Sequence, residues 1–246
     1  MSMSSYVQSI LDLLSSGNEV SVSAIAKHLY VSEPTVRRYL TSLEQDGLVL
    51  RTHGGAVLNN ISDNRNSPLY LRLTRTKEEK KIIAAEAVKL IHNGDIIFLD
   101  ASSTAFHLIP HLNQFSNLIV ITNGLKTALA LTEMNIQTII LGGTVNPTNF
   151  SCSDYETISS LRKVNVNYFF FSCDALTDDG VLTDNSREQC LFRIECMHSA
   201  KNNVLLIDSS KLNKKCWYNI CSLQEVDYCF CDVPLPENLI KLPRNA

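Results

Sequence analysis

From residue 77 onward the chain alternates short apolar runs with helical stretches, and this alternation most narrows what it can fold into. The runs are Ile96–Leu99, Leu118–Ile121, Thr138–Leu141, Val166–Phe171, Val204–Ile207 and Tyr228–Cys231. Most are separated by segments long enough for a helix, such as the one carrying Ile83, Ala87, Leu90 and Ile91, which Asn93-Gly94 ends. Apolar runs without polar alternation belong to strands buried on both faces, and strands alternating with helices predict a largely parallel, helix-covered sheet. Polar or glycine-bearing turns follow the strands at Asp100-Ala-Ser-Ser-Thr104, Thr122-Asn-Gly124, Gly142-Gly143 and Asp208-Ser-Ser-Lys211. Ligands bind at that edge of open α/β sheets.

The first sixty residues follow another pattern. Ile10, Leu11, Leu13 and Leu14 mark one apolar helix face, and Ala24–Leu29 forms a short second helix after Val20–Ser23. Tyr30-Val31-Ser32 makes a tight connection to a third helix, with Ser32 as its N-cap and Pro34 in the first turn, where a missing N–H costs nothing. Val36, Leu40 and Leu43 form that helix's inward stripe and Gly47 ends it. Pro34, Arg38, Thr41 and Gln45 then face outward, flanked by Thr35, Arg37 and Ser42. Leu48–Arg51 and Ala56–Leu58 around Gly54-Gly55 read as a strand-turn-strand wing. The domains expected are therefore 1–58, a polar linker 59–76 and 77–246. The stretch 65–81 is basic, with Arg65, Arg72, Arg75, Lys77, Lys80 and Lys81 against Glu78 and Glu79.

Two helices joined by a tight turn, with arginines in the N-terminal half of the second, can place side chains in a DNA major groove. Arginine bonds guanine bidentately or clamps phosphate, and Ser and Thr meet either. A solvated helix face explains the periodicity equally well. The formal net charge of −3 argues against coating nucleic acid by bulk electrostatics, and residues 1–60 are themselves slightly acidic. DNA affinity must rest on a few placed cations, doubled by dimerisation, and be salt-sensitive.

Composition bounds the rest. With 45% apolar and 19% charged residues in 246, the chain is an ordinary globular protein of one large or two unequal domains, not a disordered, collagenous or coiled-coil one. No apolar run approaches a bilayer span and no secretory signal is evident, so the expected address is the cytoplasm, away from membranes. All eight cysteines lie after residue 150 without a C-x-x-C pair, and Cys229 and Cys231 share one strand face. They read as reduced packing residues, with no metal site expected.

The run Val20-Ser-Val-Ser-Ala-Ile-Ala-Lys-His-Leu-Tyr-Val-Ser-Glu-Pro-Thr-Val-Arg-Arg-Tyr-Leu40, followed by Leu43-Glu44, Gly47-Leu48 and Arg51-Thr-His-Gly-Gly-Ala56, resembles the winged helix-turn-helix of DeoR-family transcriptional regulators. The resemblance implies that the third helix reads DNA through Ser32, Thr35, Arg37, Arg38 and Thr41, with Arg51 and His53 on the wing. It continues through Glu79-Lys80, Gly94-Asp95, Phe98-Leu-Asp100, Thr122-Asn123, Leu141-Gly-Gly143 and Asp208-x-Ser-Lys211, which are similar to the family's C-terminal sensor. That implies an isomerase-like α/β fold, a phosphorylated-sugar effector and a homodimer or homotetramer on double-stranded operator DNA, without cofactor or catalysis.

The effector residues so expected are Asp100, Ser102, Ser103, Thr104, Thr122, Asn123, Gly142, Gly143, Asp154 and Lys211. Hydroxyls at a strand-to-helix turn suit a phosphate, and Lys211 supplies charge. Asp100 and Asn123 either orient sugar hydroxyls or, for Asn123, serve the turn. Arg187, Glu188 and Arg193 lie on one helix, at the pocket mouth or at a subunit contact. Three positions depart from the family. Tyr39 stands where an acid is usual, Ser102-Ser103 replaces a glycine-bearing loop, and Asp154 replaces a glycine. Asp154 reads as a helix N-cap, or as a carboxylate that selects a hydroxyl-rich ligand or disfavours extra phosphate charge.

Two other functions compete. A sugar-phosphate isomerase would use Asp100, Asp174 or Asp178 as base, but no compact acid–base set is evident. A redox or metal sensor would use Cys216 with Cys221, or Cys229 with Cys231, at spacings poor for zinc. Neither G-x-G-x-x-G nor a Walker motif occurs.

Overall fold

The computed structural model describes residues 3–14, 19–45, 48–59, 69–237 and 239, in two compact units, Met1–Arg75 and Thr76–Ala246. The first unit runs α1 (Met3–Leu14), β1 (Val20–Ser21), α2 (Val22–Leu29), α3 (Glu33–Gln45), β2 (Val49–Arg51), β3 (Gly55–Leu58) and α4 (Leu69–Thr74). Ser21 caps α2 by accepting the Ala24 N–H at 3.1 Å, so the helix starts two residues earlier than expected. Tyr30 ends it in the left-handed region, at φ 54°.

The inward stripe is as the periodicity indicates. Val36, Leu40 and Leu43 pack with Ile10, Leu11, Leu14, Ile25 and Leu29 in one core. The three strands form a sheet in the order β1-β3-β2, all antiparallel, with Val20 opposite Ala56 and Val49 opposite Leu58. A Cβ on Gly55 would run into the Val20 carbonyl, so glycine is required where β3 meets β1. Within the segment read as linker, residues 69–74 form α4, and Leu71 is buried in the first unit's core. Alternate apolar residues at Leu69, Leu71 and Leu73 gave no helical stripe to read, and tertiary burial decides the conformation there. The asparagine-rich part, 60–68, and the Gly47 helix stop lie outside the described residues, as does the Gln45 side chain.

The second unit runs α5 (Lys77–Ala87), β4 (Ile96–Leu99), α6 (Ser103–Phe106), β5 (Ile119–Thr122), α7 (Leu125–Glu133), β6 (Gln137–Ile140), β7 (Val145–Asn146), β8 (Ser151–Cys152), α8 (Tyr155–Leu161), β9 (Val166–Phe171), β10 (Ala175–Leu176), β11 (Val181–Asp184), α9 (Arg187–Ser199), β12 (Ala200–Ile207), β13 (Tyr218–Ser222) and β14 (Tyr228–Cys231). Six strands form a wholly parallel sheet in the order β14-β12-β9-β4-β5-β6. Every expected strand is present, shifted by one residue at β5 and β6 and extended to Ala200 at β12.

Successive residues on a strand face opposite ways, and the two cores divide accordingly. Phe98, Phe169, Phe171, Leu205 and Ile207 pack with Phe192 of α9 on one face. Ile97, Leu99, Phe170, Val204 and Leu206 pack with Ile83, Ala84 and Ala87 of α5 on the other. Cys229 and Cys231 both lean on the first core, the shared face their spacing predicts. A second, antiparallel sheet, β10-β11-β13, was not evident from sequence, because β10 is only two residues long and β11 ends in polar Thr183-Asp184. No helix among the described residues is long and apolar enough to cross a membrane.

Candidate functional site

In the first unit α3 follows Ser32 directly, and the Ser32 hydroxyl lies 2.9 Å from that of Thr35. Arg37 and Arg38 are exposed, and Arg37 reaches Glu33 at 3.4 Å, a solvent-screened pair of small energetic weight. The Thr41 hydroxyl donates to the Arg37 carbonyl at 2.9 Å and accepts a long 3.4 Å bond from Arg51, tying β2 to α3. His53 is exposed at the wing turn, where Thr52 bonds Glu19. The expected DNA-facing residues thus lie on α3 and the adjoining wing. Tyr39 is not among them, because its ring stacks on Tyr6 of α1 at 5.7 Å and leans on the core.

In the second unit the parallel sheet delivers its polar turns to one edge. β4 and β9 are neighbours from which the chain runs outward in opposite directions, so Asp100 and Ser172 mark the switch point. Asp100 is buried with both oxygens engaged. Oδ1 accepts the Ser102 N–H at 3.0 Å, while Oδ2 accepts the Ser172 N–H at 3.4 Å and Arg193 Nε at 3.3 Å. Arg193 also donates to Asp184 at 2.8 Å, making an ion triad inside the protein. Burial works against the Arg193 charge, but Asp184 and Asp100 outweigh it and hold its pKa above the ordinary arginine value. Burial raises that of Asp184 against the pull of Arg193. Arg193 is therefore neither at a pocket mouth nor at a subunit surface, and the partnership of Asp100, Asp184 and Arg193 escaped the sequence.

Asn123 is fully buried, accepting the Ala101 N–H at 3.1 Å and donating to the Cys152 carbonyl at 2.7 Å. It ties the turns after β4 and β5 to β8, while Thr122 accepts the Gly124 N–H. Ser102 caps α6 through the Ala105 N–H. Ser103 and Thr104 are buried behind it, and Thr104 Oγ1 has no hydrogen-bond partner among the described residues. Lys211 reaches Ser172 Oγ at 2.9 Å and stands 3.9 Å from Asp208. Burial works against the Asp208 charge, but Lys211, Ser210 and Lys80 hold its pKa below the usual value. Lys80, part of the basic stretch 65–81, is buried and so presents no charge at the surface.

Asp154 is the N-cap of α8. It accepts the Thr157 N–H and hydroxyl, and the Thr144 N–H at 2.6 Å. These bonds depress its pKa strongly, the Thr144 N–H most. Gly143, at φ +146°, leaves no room for a Cβ against Asp154 and Thr157, so the glycine and the carboxylate fit as a pair. The Thr157 hydroxyl also lies 2.9 Å from the Gly142 carbonyl, so its one proton is shared between that oxygen and Asp154.

Two protein-family models match the chain, "DeoR-like helix-turn-helix domain" over residues 7–62 and "DeoR C terminal sensor domain" over residues 75–233. The chain belongs to the DeoR family. Among its relatives, the HTH-type transcriptional regulator GolR of Listeria innocua is 34% identical over 96% of this chain and 93% of its own length. The L-fucose operon activator of Escherichia coli is 32% identical over 92% and 93%. The lactose phosphotransferase system repressor of Staphylococcus epidermidis is 32% identical over 91% and 89%. A D-ribose-5-phosphate isomerase structure aligns with a TM-score of 0.42 and 20% identity over 55% of this chain and 54% of that one. This DeoR-family protein is a DNA-binding transcriptional regulator with a sensor domain.

Proposed function

We propose that this regulator represses a carbohydrate-use operon in the cytoplasm and that a phosphorylated sugar, bound at the polar edge of the parallel sheet, sets its operator affinity. The observation that carries the proposal is the convergence of the Asp100–Thr104, Gly142–Gly143 and Asp208–Lys211 turns on one edge. Ser103, Thr104 and Lys211 offer the phosphate hydroxyl donors and a charge, while Gly142 and Gly143 are exposed backbone at the same sheet edge, two strands from β4. Asp100, Ser102, Thr122, Asn123 and Asp154 shape these turns, since their side-chain oxygens already bond the protein. The relatives' names, two of them tied to sugar operons or transport, support the class of effector.

On the DNA side, Ser32, Thr35, Arg37, Arg38 and Thr41 enter the major groove, while Arg51 and His53 approach the backbone from the wing. The protein is not an enzyme in this reading. Of the three carboxylates offered as an isomerase base, Asp100 is committed to Arg193 and to two backbone N–H groups. A thiol sensor is disfavoured as well. Burial raises the pKa of all eight cysteines, that of Cys173 to about 12, and the reactive form is the thiolate.

Fluorescence anisotropy on DNA tiled across the protein's own and neighbouring promoters, with a panel of sugar phosphates, tests this. Tile-specific binding that one phosphate weakens and its free sugar does not is the expected result. Specific binding unmoved by any sugar phosphate would refute the sensing half, and phosphate turnover would revive the enzyme.

A further inference from the structure

Residues 134–153 contain no Asp, Glu, Lys, Arg or His, in a chain that is 19% charged. Buried segments are commonly uncharged; this one is mostly at the surface. It includes β6, the last strand of the parallel sheet, whose outer edge has no strand partner among the described residues. Ile139 is 43% exposed and Ile140 45%, on opposite faces of that strand. Leu129 on α7, which packs on β6, is exposed too, as are Val145 just beyond the strand and Tyr155 beside Asp154, which bonds the same loop.

An apolar edge strand is an open template for another chain, and proteins that leave one unpaired usually guard it with lysine, proline or a bulge. β6 has none of these. We infer that the β6 edge is where two copies of this chain pair, antiparallel about a two-fold axis, joining their parallel sheets into one.

Charge selects the occupant. Nucleic acid needs cations, and a charged peptide needs opposite charges, which residues 134–153 do not offer. A copy of the same strand meets itself with no like charges opposed, the requirement of a two-fold interface, and charged residues are depleted at interface centres. The winged unit gives the pairing a use, because helix-turn-helix proteins read two half-sites as dimers. The inference shares that premise with the proposed function, but its test is made without DNA or effector and so fails or stands separately.

The experiment is sedimentation velocity and hydrogen exchange on the full chain across a dilution series. The expected result is a dimer at micromolar concentration, with the outward-facing amides of 137–140 exchanging more slowly as dimer forms. Ile140→Lys should weaken dimerisation at least 10-fold, while Leu191→Lys, at an exposed apolar residue of α9, leaves it unchanged. Three results would overturn the inference: a wild-type monomer throughout the series, Ile140→Lys dimerising as wild type does, or exchange at 137–140 that ignores concentration. The exchange measurement uses the wild-type chain, so a variant that fails to fold does not shelter the idea.

Discussion

The two units handle positive charge in opposite ways. The winged unit leaves Arg37 and Arg38 in solvent with at most one weak partner, Glu33. The sensor unit buries Arg193 between Asp100 and Asp184, and encloses Lys80 in the neighbourhood of Asp208. An exposed guanidinium adds little to stability but remains available to a polyanion, at the cost of sensitivity to salt. A buried one is unavailable to any ligand but fixes the turns that its partners belong to. Under the proposed function, recognition of DNA and the shape of the sensor edge rest on the same side chain in two environments.

The contrast breaks first at Arg193. Replacing Arg193 with Met strands two buried carboxylates, and loss of one partner of a buried pair typically costs about 3–5 kcal/mol. The urea midpoint of the sensor transition should fall accordingly; a loss under about 1 kcal/mol would mean the triad is hydrated and not structural. Arg38→Ala should do the reverse. Unfolding should be unchanged within about 0.5 kcal/mol, as for most surface substitutions. Operator affinity should drop roughly 10-fold, with a relaxed base preference if Arg38 reads guanine or a shallower salt slope if it holds phosphate.

Tyr39→Asp, which restores the family's usual acid, removes the stack on Tyr6 and should cost about 1 kcal/mol in the winged unit. Operator affinity of the folded fraction should stay put. A change of operator preference would show that Tyr39 acts at the DNA after all.

Two further effects sharpen the comparison. Tyr30 is 93% exposed and holds a left-handed conformation that costs a residue with a Cβ about 1–2 kcal/mol, so Tyr30→Gly should raise the winged unit's melting temperature. Lys126, with its ammonium 5.1 Å from the Phe150 ring centre, is pulled by burial to about 8. A lysine that ionises less readily folded than unfolded opposes folding while it is charged. Its contribution therefore improves as pH rises from about 8 toward its unfolded value of about 10.4. Thermal melts of wild type against Lys126→Met should show wild type gaining relative stability over that window; a constant difference would remove the effect.

Local signals carried most of this fold. The Val36, Leu40 and Leu43 stripe placed α3, and the apolar runs placed all six parallel strands, a residue off at β5 and β6 and without the first four residues of β12, because periodicity is a property of neighbours in sequence. The antiparallel β10-β11-β13 sheet stayed hidden because β10 is two residues long, β11 ends in polar Thr183-Asp184 and β13 joins from beyond residue 217. For the site, the sequence found the turns but not the side chains that hold them. Asp100 was expected at the effector, and nothing local shows that Arg193, ninety-three positions away, also bonds it. Asp154 was legible as an N-cap, while its bond to Thr144 depended on a loop geometry that Gly143 alone hinted at.

The central claim is a coupling between the two units, and coupling free energies are reciprocal. Isothermal titration of the sugar phosphate identified by anisotropy, into the protein alone and into its saturated operator complex, tests it directly. Effector affinity should fall in the complex by the same factor, about 5–150-fold, by which the effector weakens operator binding. Equal effector affinity with and without operator would contradict it.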